Sequence, residues 1–311
     1  MVKCEKIFYY KSFIILQFTL NLFLLTISIS KDFEIIKIFD LSNENVEDMD
    51  SRILFPIQNR LKGIIELTFN EQKFLNGLIR RYRPKKILEI GVSAGGSSAL
   101  ILNAIKDFQN TKLYSIDRYN NWYRNPNKNV GWLIKEKFPE LMENWTLFTG
   151  KNNAEFIETI GNNIDFAFID TFHFTPGEML NWLEILPFLK QEAIVVFHDT
   201  FLMFVGNFIY EGIKSFSNNQ LLCYIRGNLI LPLYGDKIFS RNIAALKLAK
   251  NQEKYYRQYF IALGNQWQYL PEEKDILILR KHFIKYYGVN YVEIFDDAVY
   301  QNRLRFKYKK Y

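Results

Sequence analysis

The sequence predicts an α/β fold built on a doubly wound, mostly parallel sheet. Short apolar runs alternate with helical stretches between residues 84 and 200. A glycine-rich turn follows the first run, and polar residues stand where several of the runs end. Strands that are apolar along their whole length are typical of parallel sheets covered on both faces by helices. Such sheets bind ligands at the carboxyl ends of their strands, so we expect the functional residues there.

The elements follow in a regular order. Five strands are predicted, at 86–90, 113–117, 145–148, 164–170 and 193–199, with helices at 97–108 and 178–189 among them. Beyond residue 201, the runs 221–225 and 228–233 are joined through Arg226 and Gly227 and predict an antiparallel hairpin. Three helices are predicted after it, at 242–270, 272–287 and 292–306. The result is a Rossmann-like domain with an antiparallel hairpin at its edge and a helical C-terminal extension.

Composition limits the class of protein. The 311 residues are 49% hydrophobic, which excludes a disordered chain and allows one large domain or two modest ones. The net charge of +7, from 40 Lys and Arg against 33 Asp and Glu, is too small to indicate nucleic acid as a partner. Cys4 and Cys223 are too few for a disulfide framework or a cysteine zinc site. This favours a reducing compartment, so we expect a cytoplasmic protein.

The N-terminal segment carries a second signal. Residues 12–30 are uncharged and close to the ~20 residues of a membrane-spanning helix. Three interpretations stay open: a helix lying on a membrane or packed on a partner, a membrane span, and a cleaved signal. Lys3, Lys6 and Lys11 would orient a span with the rest of the chain outside the cytoplasm. We therefore divide the chain into a hydrophobic N-terminal segment and linker (1–50), the α/β domain (51–238) and the helical extension (239–311).

The glycine turn suits a nucleoside. Gly91 allows a tight turn and close approach of a ligand, and Gly95 leaves the amides of the following helix accessible. A dinucleotide-binding turn would have a glycine where this chain has Ser93, and the Gly-Lys-Ser/Thr ending of a phosphate loop is absent. Asp117 ends the next strand, where its carboxylate can accept both hydroxyls of a ribose. The alternative is a glycine turn in an ordinary α/β domain, with Asp117 as a helix cap.

Four motifs in order carry a family resemblance. They are Glu89-Ile90-Gly91-Val92-Ser93-Ala94-Gly95-Gly96-Ser97, Tyr114-Ser115-Ile116-Asp117-Arg118, Ile169-Asp170-Thr171-Phe172-His173-Phe174 and Phe197-His198-Asp199-Thr200. The chain resembles class I S-adenosylmethionine-dependent methyltransferases, and more narrowly the branch with macrocin O-methyltransferase-like and cephalosporin hydroxylase-like proteins. Gln191-Glu192-Ala193 departs from the Gly-Gly turn that is usual in that branch.

The resemblance implies a cofactor site for S-adenosyl-L-methionine. Glu89 and Gly91 would line its methionine end, Asp117 would bind the ribose, and Asn152 would lie near the adenine. The full candidate set for cofactor binding is Glu89, Gly91, Ser93, Gly95, Asp117, Arg118, Asn152 and Asp170.

The resemblance also implies a cation site. In metal-dependent relatives such as catechol O-methyltransferase, the matching strand ends hold a divalent cation, which makes Asp170, His198 and Asp199 the candidate ligands here. Magnesium prefers oxygen ligands, whereas an imidazole shifts the preference towards metals such as manganese. One alternative is a metal-free site in which His198 or His173 is the general base beside Asp170. Another is that His198 and Asp199 only cap a strand.

The implied reaction is methylation of a hydroxyl oxygen on a small molecule or sugar, with a small-molecule or glycan acceptor as partner. A protein of another class stays open: a catalytically inactive, membrane-associated scaffold that keeps the fold. In either case residues 12–30 are the candidate contact with a membrane surface.

Overall fold

A computed structural model describes residues 51–171, 173–200, 225–234, 237–238 and 242–308. The segment 1–50, with its apolar run at 12–30, lies outside the described residues, as does the greater part of the first arm of the predicted hairpin. Among the helices that are described, none has the length and apolar character needed to cross a membrane.

Nine α-helices and eleven strands make up the described part of the chain. The helices are α1 (Phe55–Leu61), α2 (Phe69–Tyr82), α3 (Gly96–Ile105), α4 (Trp132–Lys137), α5 (Asn153–Ile160), α6 (Gly177–Ile185), α7 (Tyr256–Ala262), α8 (Glu273–Tyr287) and α9 (Val289–Tyr308). The strands are β1 (Lys86–Ile90), β2 (Lys112–Asp117), β3 (Asn121–Trp122), β4 (Asn125–Asn129), β5 (Trp145–Thr149), β6 (Ile164–Ile169), β7 (Leu189–His198), β8 (Gly227–Ile230), β9 (Leu233–Tyr234), β10 (Lys237–Ile238) and β11 (Ile243–Leu248).

Seven strands form one sheet in the order β5-β2-β1-β6-β7-β11-β8. The first five are parallel, and β11 runs antiparallel to both of its neighbours, β7 and β8. The predicted fold class, a mostly parallel sheet with an antiparallel edge, is confirmed. All five predicted parallel strands are present.

The edge of the sheet is built differently from the prediction. β8 pairs with β11, and the predicted pairing of 228–233 with 221–225 is not tested, because residues 221–224 lie outside the described residues. The helix predicted to begin at residue 242 is wrong at its start, because Ile243–Leu248 is a strand between β7 and β8. Five of its six residues are buried, and such an apolar run cannot be assigned to strand or helix by periodicity. The sheet therefore continues past residue 238, where the α/β domain was predicted to end.

Helices cover both faces of the sheet. On one face, the main core is formed by α1, α2, α3 and α4 with alternate residues of the strands, including Ile194 and Val196 of β7. On the other face, Trp182 of α6 packs against Phe197 of β7 and Tyr259 of α7, with ring centroids 6.4 and 6.0 Å apart. The helical extension thus packs against the domain rather than trailing from it.

Candidate active site

The turn after β1 lies against the end of β6. Gly91 has a φ of +88°, and a Cβ atom on it would come 1.7 Å from the carbonyl oxygen of Asp170. Only glycine fits so close a contact in that conformation. The glycine turn and Asp170, taken from two separate motifs, are therefore in direct contact.

Glu89 lies behind the turn and is fully buried. Its carboxylate accepts hydrogen bonds from the hydroxyls of Ser97, Ser98 and Ser115, each at 2.6 Å. Burial raises the pKa of Glu89 to about 7 in spite of these hydrogen bonds. The side chain ties β1 to the start of α3 and to β2. Its contact with the methionine end of a cofactor stays a prediction.

Asp117 supports the turn from the end of β2. One carboxylate oxygen accepts hydrogen bonds from the backbone amides of Val92 and Ser93, both at 3.0 Å. The other accepts a hydrogen bond from the amide of Tyr119 at 2.9 Å. These amides belong to the glycine turn and to the loop after β2, so Asp117 braces the turn and is not the helix cap of the alternative interpretation. The residue is half-buried, and each carboxylate oxygen can accept more than one hydrogen bond, so ribose binding is compatible with these contacts.

Ser93 and Gly95 complete the turn. The hydroxyl of Ser93 accepts a hydrogen bond from the indole of Trp122 at 3.1 Å, which ties the turn to the hairpin of β3 and β4. Gly95 adopts a φ of +100° immediately before α3.

Arg118 and Asn152 meet a residue that the sequence analysis missed. Asp275, in the first turn of α8, accepts hydrogen bonds from Arg118 at 2.5 Å and from the Asn152 amide at 2.9 Å. Arg118 also donates to the side-chain oxygen of Asn152. The Asp275 side chain is only 7% exposed. The polar atoms of Asn152 are thus engaged within the protein, and α8 reaches the ends of β2 and β5.

The acid and imidazole cluster consists of Asp170, His173 and Asp199. His173 Nε2 lies 2.8 Å from an Asp199 carboxylate oxygen and 3.8 Å from one of Asp170. One ligand atom from each residue fits within 4.8 Å of the others, a spacing that could hold a metal ion. Each side chain is between 19 and 25% exposed, so the cluster is open to a ligand.

His198 is only 3% exposed, and its Nδ1 lies 3.5 Å from a carboxylate oxygen of Asp199. Its Nδ1 is 3.3 Å from Asp170, whereas its Nε2 faces Glu71 of α2 at 3.7 Å. Burial alone would lower the pKa of His198, but the neighbouring carboxylates outweigh it and raise the pKa to about 12. Burial alone would raise the pKa of Glu71, but its contacts with His198 and Thr68 outweigh burial and lower the pKa to about 2.

Strand geometry places the two histidines on different sides of Asp170 and Asp199. His198 follows Ile194 and Val196 at a spacing of two, so its side chain points to the same face, towards α2. Asp199 follows the end of β7, with a φ of +53°, and its side chain reaches His173. The structure thus brings the predicted ligands Asp170, His198 and Asp199 together and adds His173 to them, and cation binding by these residues stays a prediction.

His173 also touches a buried carboxylate. Its Nδ1 lies 2.9 Å from an oxygen of Glu178, in the first turn of α6. Burial alone would lower the pKa of His173, but its contacts with Asp199 and Glu178 raise it to about 10. Burial raises the pKa of Glu178 to about 7. Glu178 has no distinguishing signal in the sequence, because acidic residues are common in the first turn of a helix.

Comparison with known proteins agrees with this arrangement. Residues 88–200 match the family model described as a methyltransferase domain. This part of the chain is a methyltransferase domain. The match spans the glycine turn, Asp117 and the cluster, and it confirms the resemblance at the level of the domain. The narrower branch stays a prediction.

Several solved methyltransferase structures are similar to the domain. The O-methyltransferase TomG from Streptomyces achromogenes, in complex with SAM, shares 15% identity with a TM-score of 0.45, covering 68% of this chain and 95% of its own. An O-methyltransferase from Bacillus cereus in complex with SAH shares 13% identity with a TM-score of 0.45, covering 67% and 96%. The SAH-bound methyltransferase PaMTH1 from Podospora anserina shares 15% identity with a TM-score of 0.44, covering 72% and 93%. No curated protein matches the chain in sequence.

Proposed function

We propose that the methyltransferase domain transfers the methyl group of S-adenosylmethionine to a hydroxyl oxygen of a small molecule. The observation that carries this proposal is the contact between the glycine turn and Asp170. It places a turn suited to a nucleoside next to a cluster of carboxylates and an imidazole. A methyl donor in the turn and a hydroxyl at the cluster would be neighbours.

The chemistry requires positioning above all. The acceptor oxygen forms a bond to the methyl carbon, the bond from that carbon to sulfur breaks, and the hydroxyl proton leaves. S-adenosylhomocysteine is the second product. Because the reaction has no covalent intermediate, holding the two reactants in line can supply about 7–11 kcal/mol of the barrier.

The donor set of the cluster fits a divalent cation. Asp170 and Asp199 offer carboxylate oxygens and His173 offers Nε2, and all three side chains are partly exposed. Two oxygens and one imidazole suit manganese better than magnesium. A cation bound there would lower the pKa of the acceptor hydroxyl.

A sugar or glycan acceptor is the finer form of the proposal. Support for it comes only from the branch that the sequence resembles. The choice of acceptor is independent of the cofactor and cation sites and needs a separate activity assay with sugar acceptors.

Calorimetric titration with Mn²⁺ tests the cluster. Asp170→Asn should weaken Mn²⁺ binding at least tenfold, because it removes the charge of one ligand from the cluster. The matched control is Asp165→Asn, at the other end of the same strand, where the carboxylate contacts the amides of Lys85 and Lys86. Equal Mn²⁺ affinity in the two variants would remove the cluster from the proposed site.

A further inference from the structure

Glu178 is a buried carboxylate on the protein side of the cluster. Its side chain is 4% exposed, and Oε1 lies 2.9 Å from Nδ1 of His173. Among the described residues, its other oxygen is buried and has no hydrogen-bond partner. Burying an ionised carboxylate in the protein interior is unfavourable unless the carboxylate is paired. The contact with His173 supplies that pairing and so explains why a glutamate is tolerated at this buried position.

The two ring nitrogens of His173 face different partners. Nδ1 faces Glu178, and Nε2 faces the oxygens of Asp199 and Asp170. An ionised carboxylate only accepts hydrogen bonds, so a proton on Nδ1 satisfies Glu178. The ring is then fixed with Nε2 towards the open side of the cluster.

We propose that Glu178 is a positioning residue, which holds the His173 ring so that Nε2 is presented to whatever binds between Asp170 and Asp199. Carboxylates that accept from the remote nitrogen of a ligating histidine fix its tautomer and orientation in the same way. The effect of Glu178 on a bound cation rests on the proposed function, whereas the contact between Glu178 and His173 is independent of it.

The same helix supplies a matched control. Glu184 lies on α6 and is also buried, but its carboxylate accepts hydrogen bonds from the side chain of Asn153 at 2.8 Å and from the amide of Ala154 at 3.3 Å. Burial raises the pKa of both glutamates to about 7. A general effect of removing a buried glutamate from α6 should therefore appear in both variants, and an effect through His173 in only one.

The direct test is ¹⁵N NMR of the imidazole rings in the full-length protein. The chain has three histidines, so the spectrum can be assigned with single His→Gln variants. We expect the Nδ1 resonance of His173 to be that of a protonated, hydrogen-bonded nitrogen and to shift in Glu178→Ala. It should not shift in Glu184→Ala. An unprotonated Nδ1 in the wild type, or no shift in Glu178→Ala, would overturn the proposal.

Mn²⁺ titration gives the functional consequence. We expect Glu178→Ala to weaken Mn²⁺ binding about 10- to 100-fold. Glu178→Gln should restore most of the affinity, because its amide oxygen still accepts from Nδ1, and Glu184→Ala should match the wild type. The affinity for S-adenosylhomocysteine should be the same in all four proteins. Equal weakening in Glu178→Ala and Glu184→Ala would mean a structural role only.

The two proposals fail in different ways. A folded wild type that binds no S-adenosylhomocysteine contradicts the proposed function, while the NMR spectrum still decides the role of Glu178. If Glu178→Ala does not fold, Glu178→Asp replaces it, since a side chain one carbon shorter breaks the 2.9 Å contact. A His173 resonance in Glu178→Asp identical to that in Glu178→Gln would then contradict the proposal.

Discussion

Replacement of Asp117 by alanine separates a structural role of this residue from a role as cofactor ligand. The carboxylate accepts three backbone amides, from Val92, Ser93 and Tyr119, at 2.9–3.0 Å. A hydrogen bond to a charged group contributes about 1.5–3 kcal/mol when buried. Asp117 is only half-buried, so water can replace part of the lost hydrogen bonding in the variant. We therefore expect Asp117→Ala to lower the free energy of unfolding by about 2–4 kcal/mol.

The same substitution should weaken cofactor binding. Loss of one strong hydrogen bond to a ribose hydroxyl, about 1.5–3 kcal/mol, raises the dissociation constant of S-adenosylhomocysteine about 10- to 150-fold. Denaturant unfolding measures the first effect and calorimetry the second. A lowered midpoint with an unchanged m-value would show that stability alone has changed.

Asp165→Ala is the matched control for this experiment. Asp165 is also half-buried and also accepts backbone amides, those of Lys85 and Lys86 at 3.0–3.1 Å, but at the opposite end of the sheet. We expect a comparable loss of stability and no change in the affinity for S-adenosylhomocysteine. The reasoning is refuted if the two variants bind S-adenosylhomocysteine equally well, since Asp117 would then only support the glycine turn.

Three further predictions follow from single contacts. Gly91→Ala should unfold the turn and abolish binding of S-adenosylhomocysteine, because the added Cβ would lie 1.7 Å from the carbonyl oxygen of Asp170. Gly63 also has a positive φ, of +76°, but has open space around it, so Gly63→Ala should lower the free energy of unfolding by only about 1–2 kcal/mol. Asp275→Ala should cost about 1–3 kcal/mol in the same measurement, whereas Asp296→Ala removes an exposed ion pair and should cost under about 1 kcal/mol. Glu89 has a folded-state pKa of about 7 against an ordinary value of 4.5, so its contribution to stability is full below pH 4.5 and is lost as the pH rises through 7. Glu89→Gln should flatten the decline of the unfolding midpoint between pH 5 and 8, and an unchanged decline would contradict the raised pKa.

The parallel half of the sheet could be predicted from the sequence because local signals agree there. Continuous apolar runs, a glycine turn and helical periodicity all indicate the same alternation of strand and helix. β11 could not be predicted in this way, since every residue of Ile243–Leu248 except Lys247 is apolar and the run lacks the alternation that identifies a half-buried strand.

The site was only partly predictable because several of its contacts join distant residues. Asp275 contacts Arg118, although the two residues are 157 positions apart in the sequence. No local pattern distinguishes Asp275 from other acidic residues at the start of a helix. The burial of His198 could have been predicted from the strand period. Counting in twos from Ile194 and Val196 places its side chain on the core face of the sheet, whereas the His173 side chain is 25% exposed.

Titration of the purified full-length protein with S-adenosylhomocysteine tests the central claim most directly. Calorimetry is run first in EDTA and then with Mn²⁺ added. We predict saturable micromolar binding in EDTA and a separate binding event for Mn²⁺ that Asp170→Asn removes. A folded protein that gives no heat with S-adenosylhomocysteine under either condition would contradict the claim that the glycine turn holds the cofactor of a methyltransferase.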